Sequence, residues 1–268
     1  MPIDPTKIIG EILGEPAIQM RNPANADYEC GYINSKCIKR SQGIKGPYPV
    51  CSIWKSDKLV CVCPKRFFQI NLLNDVLKYG WPDSTPPKNP QLAYEIKMKG
   101  FGNVDCVVAD VGPNYEIKQF VSVELQAIDI TGSVFPAYEA ITNSEMLKKS
   151  PSYGLNYANV YKRFVTQLIV KGYYHHHWKT KIVAVMQDLV YQNIAERYEY
   201  SEADPKKANI IFLIYKYAKD KEDPTRHNLV FDKVIRTHHS NLQSAILYSE
   251  PPLRTDFCKR IIKRLGDG

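Results

Sequence analysis

Asp105, Glu124 and Gln126 are the side chains whose types and spacing point most directly to chemistry. Glu124 and Gln126 lie in the run 120–130, where Val121, Val123, Leu125 and Ala127 alternate with Ser122, Glu124, Gln126 and Ile128. That is the period of a half-buried strand, and a carboxylate and a carboxamide two residues apart on a strand point the same way, about 6.5–7 Å apart. Asp105 lies in a second strand-like run, 104–109, and Gly112, Pro113 and Asn114 supply a turn between the two. The pair is expected to form a hairpin. Asp105 and Glu124 then converge on one hard divalent cation, which prefers oxygen ligands and keeps several of its waters. This is the donor set of metal-dependent phosphodiester hydrolysis. The competing reading is an ordinary pair of surface acids, since an acid followed by E-x-Q recurs by chance.

Other elements must hold these residues in place. Further strands are expected over 92–98, 181–186 and 209–215, with 227–234 pairing against the last. Helices are expected over 6–15, 67–80, 188–197 and, as a basic tail, 256–265. The strongest helix reading is 155–170, with Leu155, Val160, Phe164, Leu168 and Ile169 on its apolar face and Lys171-Gly172 as its stop. Asn156, Asn159, Lys162, Arg163 and Gln167 fall on the other side, and the first four are candidates for DNA contact. Four prolines between Trp81 and Pro90 make a linker, so an N-terminal region (1–85) is separated from a catalytic domain (86–268).

A formal charge of +8 over 268 residues favours a polyanionic partner, although a merely basic protein would carry the same balance. No run of about 18 apolar residues spans a membrane, and the first residues lack the basic and apolar regions of a secretion signal. A cytoplasmic protein is expected, and in that compartment cysteines seldom pair as disulfides. Cys30, Cys37, Cys51, Cys61 and Cys63 crowd into the turn-rich segment 30–66, which has little apolar periodicity of its own. A thiolate-bound metal would staple such a segment. Five thiols compete for four places, and alternation cannot choose between Cys61 and Cys63; five unrelated buried thiols are the plainer alternative. Cys106 and Cys258 are read as small buried hydrophobes. His175-His176-His177 and His238-His239 are read as surface loops touching phosphate, because three adjacent imidazoles do not readily meet one ion. Neither a Gly-rich phosphate loop nor a G-x-S-x-G elbow is present.

Taken together, Val104-Asp105-Cys106, Val123-Glu124-Leu125-Gln126-Ala127-Ile128-Asp129 and Asn159-Val160-Tyr161-Lys162-Arg163-Phe164 resemble the NotI family of type II restriction endonucleases. So do Val50-Cys51 and Val62-Cys63-Pro64-Lys65-Arg66, and the likeness runs in order from about Cys30 to about Tyr215. The resemblance implies an α/β fold, a mixed β-sheet flanked by helices as a variant of the PD-(D/E)xK nucleases, with a small N-terminal cysteine module. It places the magnesium-binding acids on Asp105 and Glu124, and puts Gln126 where lysine usually stands. It places a structural iron, or zinc, on Cys30, Cys37, Cys51 and Cys63, the last because the fourth ligand directly precedes Pro-x-Arg. Cys61 is a departure from that pattern, and DNA-reading segments beyond Val234 do not transfer.

The expected protein is a homodimeric, magnesium-dependent endonuclease cutting double-stranded DNA at a short palindromic site. Its partner would be a DNA methyltransferase of the same specificity, in a bacterial or archaeal cytoplasm. Two rivals are a non-catalytic, metal-stapled DNA-binding protein and a structure-specific repair or recombination nuclease.

Overall fold

Lys181–Gln187 is buried at every position, without alternation, which is the signature of a strand covered on both faces. The computed structural model, which describes residues 2–20, 22–41, 43–100 and 102–266, places it inside a six-stranded sheet. In chain order the strands are β1 (Ile9–Ile12), β2 (Glu15–Pro16), β3 (Glu29–Cys30), β4 (Ser35–Lys36), β5 (Val50–Lys55), β6 (Lys58–Cys61) and β7 (Pro90–Met98). They continue with β8 (Gly102–Val111), β9 (Ile117–Gln126), β10 (Ile130–Gly132), β11 (Tyr153–Leu155), β12 (Lys181–Gln187), β13 (Ile210–Lys219) and β14 (His227–Thr237). The α-helices are α1 (Leu72–Tyr79), α2 (Phe135–Thr142), α3 (Tyr157–Asn159), α4 (Thr166–His177), α5 (Asp188–Arg197), α6 (His239–Leu247) and α7 (Arg254–Gly266).

The large sheet has the order β14-β13-β12-β9-β8-β7. β12 runs parallel to β9 and β13, and the outer pairs are antiparallel, so the sheet is mixed. Ile182, Ala184 and Met186 of β12 point into one core with Phe164, Leu168, Val190 and Ile194 from the helices on that face. Val183 and Val185 point the other way, into a second core with Leu72, Val76, Phe67 and Trp81. The expected α/β architecture is therefore present, with helices on both faces. Among the described residues, no helix is long and apolar enough to cross a membrane.

The N-terminal strands β2-β1-β5-β6 form a second sheet. Ile9, Ile12, Val50, Ile53 and Val60 share one core with Ile182, Met186 and Phe212 of the large sheet. Residues on both sides of the proline-rich stretch thus pack around a common centre. A buried ion pair reinforces the join: Arg66 clamps Glu11 of β1, with Nη2–Oε1 at 2.9 Å and Nε–Oε2 at 3.1 Å, and donates to the His227 carbonyl of β14 at 2.6 Å.

Three local readings are corrected. The segment 6–15 is not a helix; it is a 3₁₀ turn (Pro5–Lys7) followed by β1 and a reversal at Leu13 and Gly14, both at positive φ. Ile8, Ile9, Ile12 and Leu13 are all buried, so they mimic a helical stripe while lying on an extended segment. Over 67–80, a 3₁₀ segment (Pro64–Gln69) precedes the short α1. The long helix begins at Tyr157, because Leu155 pairs with Ile130 as part of β11, and it continues past Gly172 to His177. Gly172 is not a stop: a Cβ there would lie 2.9 Å from Ile210 and 3.2 Å from Cβ of His239. The glycine lets α4 approach β13 and α6 closely.

Candidate active site

The hairpin of β8 and β9 pairs Cys106 with Val123, which sets Asp105 beside Glu124 on neighbouring strands. Asp105 accepts the backbone N–H of Leu125 at 2.7 Å, so the acid is fixed by the strand that carries its partner. Both acids and Gln126 line a cavity of about 220 Å³ together with Asp129, Asn159, Arg163 and Gln167. Gln126 donates its carboxamide to the carbonyl of Ala127. β9 alternates over the acid site: Val121, Val123 and Leu125 enter one core, Glu124 and Gln126 on the other face are only half-buried, and Ser122 on that face is buried under α4.

The helix over the acids is continuous from α3 through a π-helical segment (Val160–Val165) into α4. π-Turns inside α-helices concentrate at functional sites. This one carries Arg163 into the cavity wall. Asn159 donates to the carboxylate of Asp129 at 2.5 Å. Asn156 caps the helix by accepting the Asn159 N–H, and opens on an adjacent cavity of about 370 Å³. Lys162 is exposed and is not among the residues that line the acid cavity.

Two charged residues join the site without having been singled out from the sequence. Lys171, almost wholly buried, donates to Glu124 Oε1 at 2.5 Å and to the Asn103 carbonyl at 2.8 Å. Glu95 lies across from Asp105, since Tyr94 pairs with Cys106 and Ile96 with Val104. Glu95 is ion-paired with Lys65 at 2.9 Å and sits at φ 54°, a conformation that L-residues hold only under constraint. A signal for Lys171 did exist: a lysine four residues after Gln167 falls on the same helix face. Reading Gly172 as a stop hid it. Nothing in the sequence marks Glu95.

The electrostatics are those of crowded acids. Burial pushes the Glu124 carboxyl up to about 7; Lys171 opposes the rise, and the charges of Asp105 and Glu95 add to it. The 2.5 Å ion pair and the raised value look contradictory, but the cost of burying the carboxylate outweighs the one ammonium. Asp105 is raised for the same first reason, with the Leu125 N–H holding it down. A divalent cation between the two would remove this penalty, so the acids suit an oxygen-seeking ion.

The cysteine residues divide. Cys30, Cys37, Cys51 and Cys63 are buried neighbours: burial raises the thiols of Cys37 and Cys51, and the charges of Cys63 and Cys30 raise them further. Cys51 and Cys63 belong to neither apolar core. Cys61 instead packs with Phe67, Leu72 and Val185 and directs its thiol to the Cys63 carbonyl at 3.3 Å. The donor chemistry of the four suits a thiophilic ion. Among the described residues, no three of their sulfurs lie within 4.8 Å of one another, whereas the nitrogens of His176, His238 and His239 do.

The histidine residues depart from the surface-loop expectation. His175, His176 and His177 complete α4, and His175 is fully buried, with Nε2 2.6 Å from Ser122 Oγ and Nδ1 2.7 Å from the Lys171 carbonyl. Burial depresses its pKa to about 4. His239 is likewise buried, at the start of α6. A family model described as Restriction endonuclease NotI matches residues 34–229. No curated protein gives a significant match.

Proposed function

The chain belongs to the restriction endonuclease NotI family, and from that premise we propose that Asp105, Glu124 and Gln126 cut both strands of DNA at a short palindromic site with magnesium. Membership makes it a site-specific deoxyribonuclease of the type II class. The observation that carries the site assignment is the juxtaposition of Asp105 and Glu124 in one cavity with Arg163 and Gln167 on its wall.

Asp105 and Glu124 would hold the ion, which supplies a water of lowered pKa and offsets charge on the phosphate. Lys171 keeps Glu124 oriented and its charge partly compensated, so the acid is poised rather than locked. Gln126 orients the attacking water or a phosphate oxygen through hydrogen bonds; unlike lysine it carries no charge and does not readily give up a proton. Arg163 and Asn159, which line the acid cavity, would make phosphate or base contacts, with Asn156 capping the turn that carries Asn159. Lys162 suits the more distant backbone of the duplex. Cys30, Cys37, Cys51 and Cys63 would hold iron or zinc, drawing their sulfurs together and stapling β3, β4 and β5 to the segment before Arg66. The two-fold symmetry of a palindrome favours a homodimer, and such an enzyme requires a methyltransferase that protects the same site.

The test is incubation with a large plasmid and magnesium, followed by the Asp105→Asn and Glu124→Gln variants. Discrete fragments are expected from the parent, and cleavage lower by at least ~10³-fold from either variant. Binding of the cleaved DNA sequence in calcium should survive both changes. Substantial cleavage by Glu124→Gln overturns the site. Structure-dependent nicking without discrete fragments overturns sequence specificity.

A further inference from the structure

At the opposite end of the parallel strands from the acids, three imidazoles from two elements meet. His176 lies in the last turn of α4, His238 is the N-cap of α6, and His239 is its first residue. Their ligand nitrogens all lie within 4.8 Å of one another, with His238 Nε2 3.3 Å from His176 Nδ1. Ring centroids are 4.9 Å apart for His176 and His238, and 4.2 Å for His238 and His239. The neighbouring histidines have other partners: His175 is bonded to Ser122, and His177 packs edge-on against Tyr173 at 4.5 Å.

One of the three is set up as a ligand by what holds its far nitrogen: His239 Nδ1 is 3.4 Å from Asn209 Oδ1. His238 Nδ1 instead accepts the Ser240 backbone N–H at 3.4 Å as the cap of α6, with Ser240 Oγ at 2.7 Å, so its Nε2, which faces His176, gives up its proton when an ion binds. Asn209 is itself fixed, accepting the His239 backbone N–H at 3.0 Å and donating to the Gly172 carbonyl. An imidazole whose Nδ1–H rests on an oxygen presents the lone pair of Nε2, the arrangement that orients metal-binding histidines.

We propose that His176, His238 and His239 form a binding site for one transition-metal ion of the zinc class, separate from the acids and the thiols. Three imidazole nitrogens suit Zn²⁺, Co²⁺ or Ni²⁺ and leave a tetrahedral position open. His176 and His238 line a cavity of about 820 Å³ that also carries Lys179, Lys181, Lys206 and Lys207. The open position therefore faces basic surroundings, and water or a small anion completes the coordination. Asp83 and Asp204, on the same wall, offset part of the lysine charge. The ion would pin α4 to α6 by a bond at the last turn of one helix and the first of the other.

The test uses the full chain, stripped with EDTA and dialysed against excess Zn²⁺, with bound zinc counted by elemental analysis. His176 is exposed, so His176→Ala should fold as the parent does, and His177→Ala is the control within the same histidine run. The expected result is one equivalent less zinc in His176→Ala and in His238→Ala, and parental content in His177→Ala. Co²⁺ bound at this site adds visible d–d absorption, so in His176→Ala the visible intensity should fall to what the thiolate site contributes, while any thiolate-to-cobalt bands in the near ultraviolet remain unchanged. Equal zinc in the parent and His176→Ala overturns the site, as does an equal loss in His177→Ala. A visible d–d spectrum of His176→Ala equal in intensity to the parent's does so too. Cleavage activity is not the readout, so failure here is distinguishable from failure of the acid site.

Discussion

Glu124 ionises against its surroundings, and that has a measurable sign. Its folded pKa, about 7, lies above the ordinary carboxylate value because of burial. A raised carboxyl stabilises the fold below the ordinary value, and that contribution is lost as pH rises through about 7. In EDTA the parent should therefore melt lower at pH 8 than at pH 5.5 relative to Glu124→Gln, with a slope of at most ~1.4 kcal/mol per pH unit from this group. Magnesium should restore stability increasingly above pH 7, because the ion needs the carboxylate. A parent and variant with parallel pH–melting curves would remove Glu124 from this role. At this scale the acids were legible in the sequence, since strand alternation and a turn of three residues suffice to pair them. Glu95 was not, because its approach depends on an irregular edge strand, and Lys171 was hidden by reading Gly172 as the end of the helix that carries it.

Among the elements, the segment after Cys63 shows how the N-terminal sheet is tied down. Arg66 is 1% exposed, bonds both oxygens of Glu11, and has the rings of Tyr32 and Tyr217 against its guanidinium at 4.9 and 5.4 Å. Removing one partner of such a pair leaves a buried charge, which typically costs about 3–5 kcal/mol. Arg66→Met should lower stability by that order, and the Glu11→Leu/Arg66→Met double variant should recover much of it. Denaturant titration of the single and double variants checks this; equal destabilisation in both would mean that packing and not charge dominates. The hydrophobic pattern did not forecast this, since Pro64-Lys65-Arg66 reads as a polar loop. What it did reveal were the strands of the large sheet and α5, whose limits match their apolar runs closely. It failed at 6–15, where burial of Ile8, Ile9, Ile12 and Leu13 alike erases the distinction between a strand and a helix stripe.

Across the whole molecule, α7 stands apart. It contributes no buried side chain, and Phe257, Ile261 and Leu265 remain exposed at four-residue spacing. Truncation after Ser249 should leave melting within about 2 °C, because a loss of 1 kcal/mol corresponds to only about 2–4 °C at this size. It also removes five basic against three acidic residues, so DNA binding should weaken, most visibly at low salt. A fall of many degrees would show that α7 is packed.

The helix from Tyr157 to His177 carries one more consequence. Asn159, Arg163 and Gln167 line the acid cavity, Lys171 holds Glu124 and His175 holds Ser122, so five polar contacts recur at intervals of four. In a uniform α-helix four residues overshoot a full turn by about 40°, and five such positions would spiral almost halfway round the axis. The wider π-helical turn at Val160–Val165 sets back part of that rotation. It works as a phase correction, keeping one file of side chains aimed at β9. The N-terminal half of the helix and the half that supports the acids are therefore clocked independently, and a residue gained or lost before Thr166 would turn the first without turning the second.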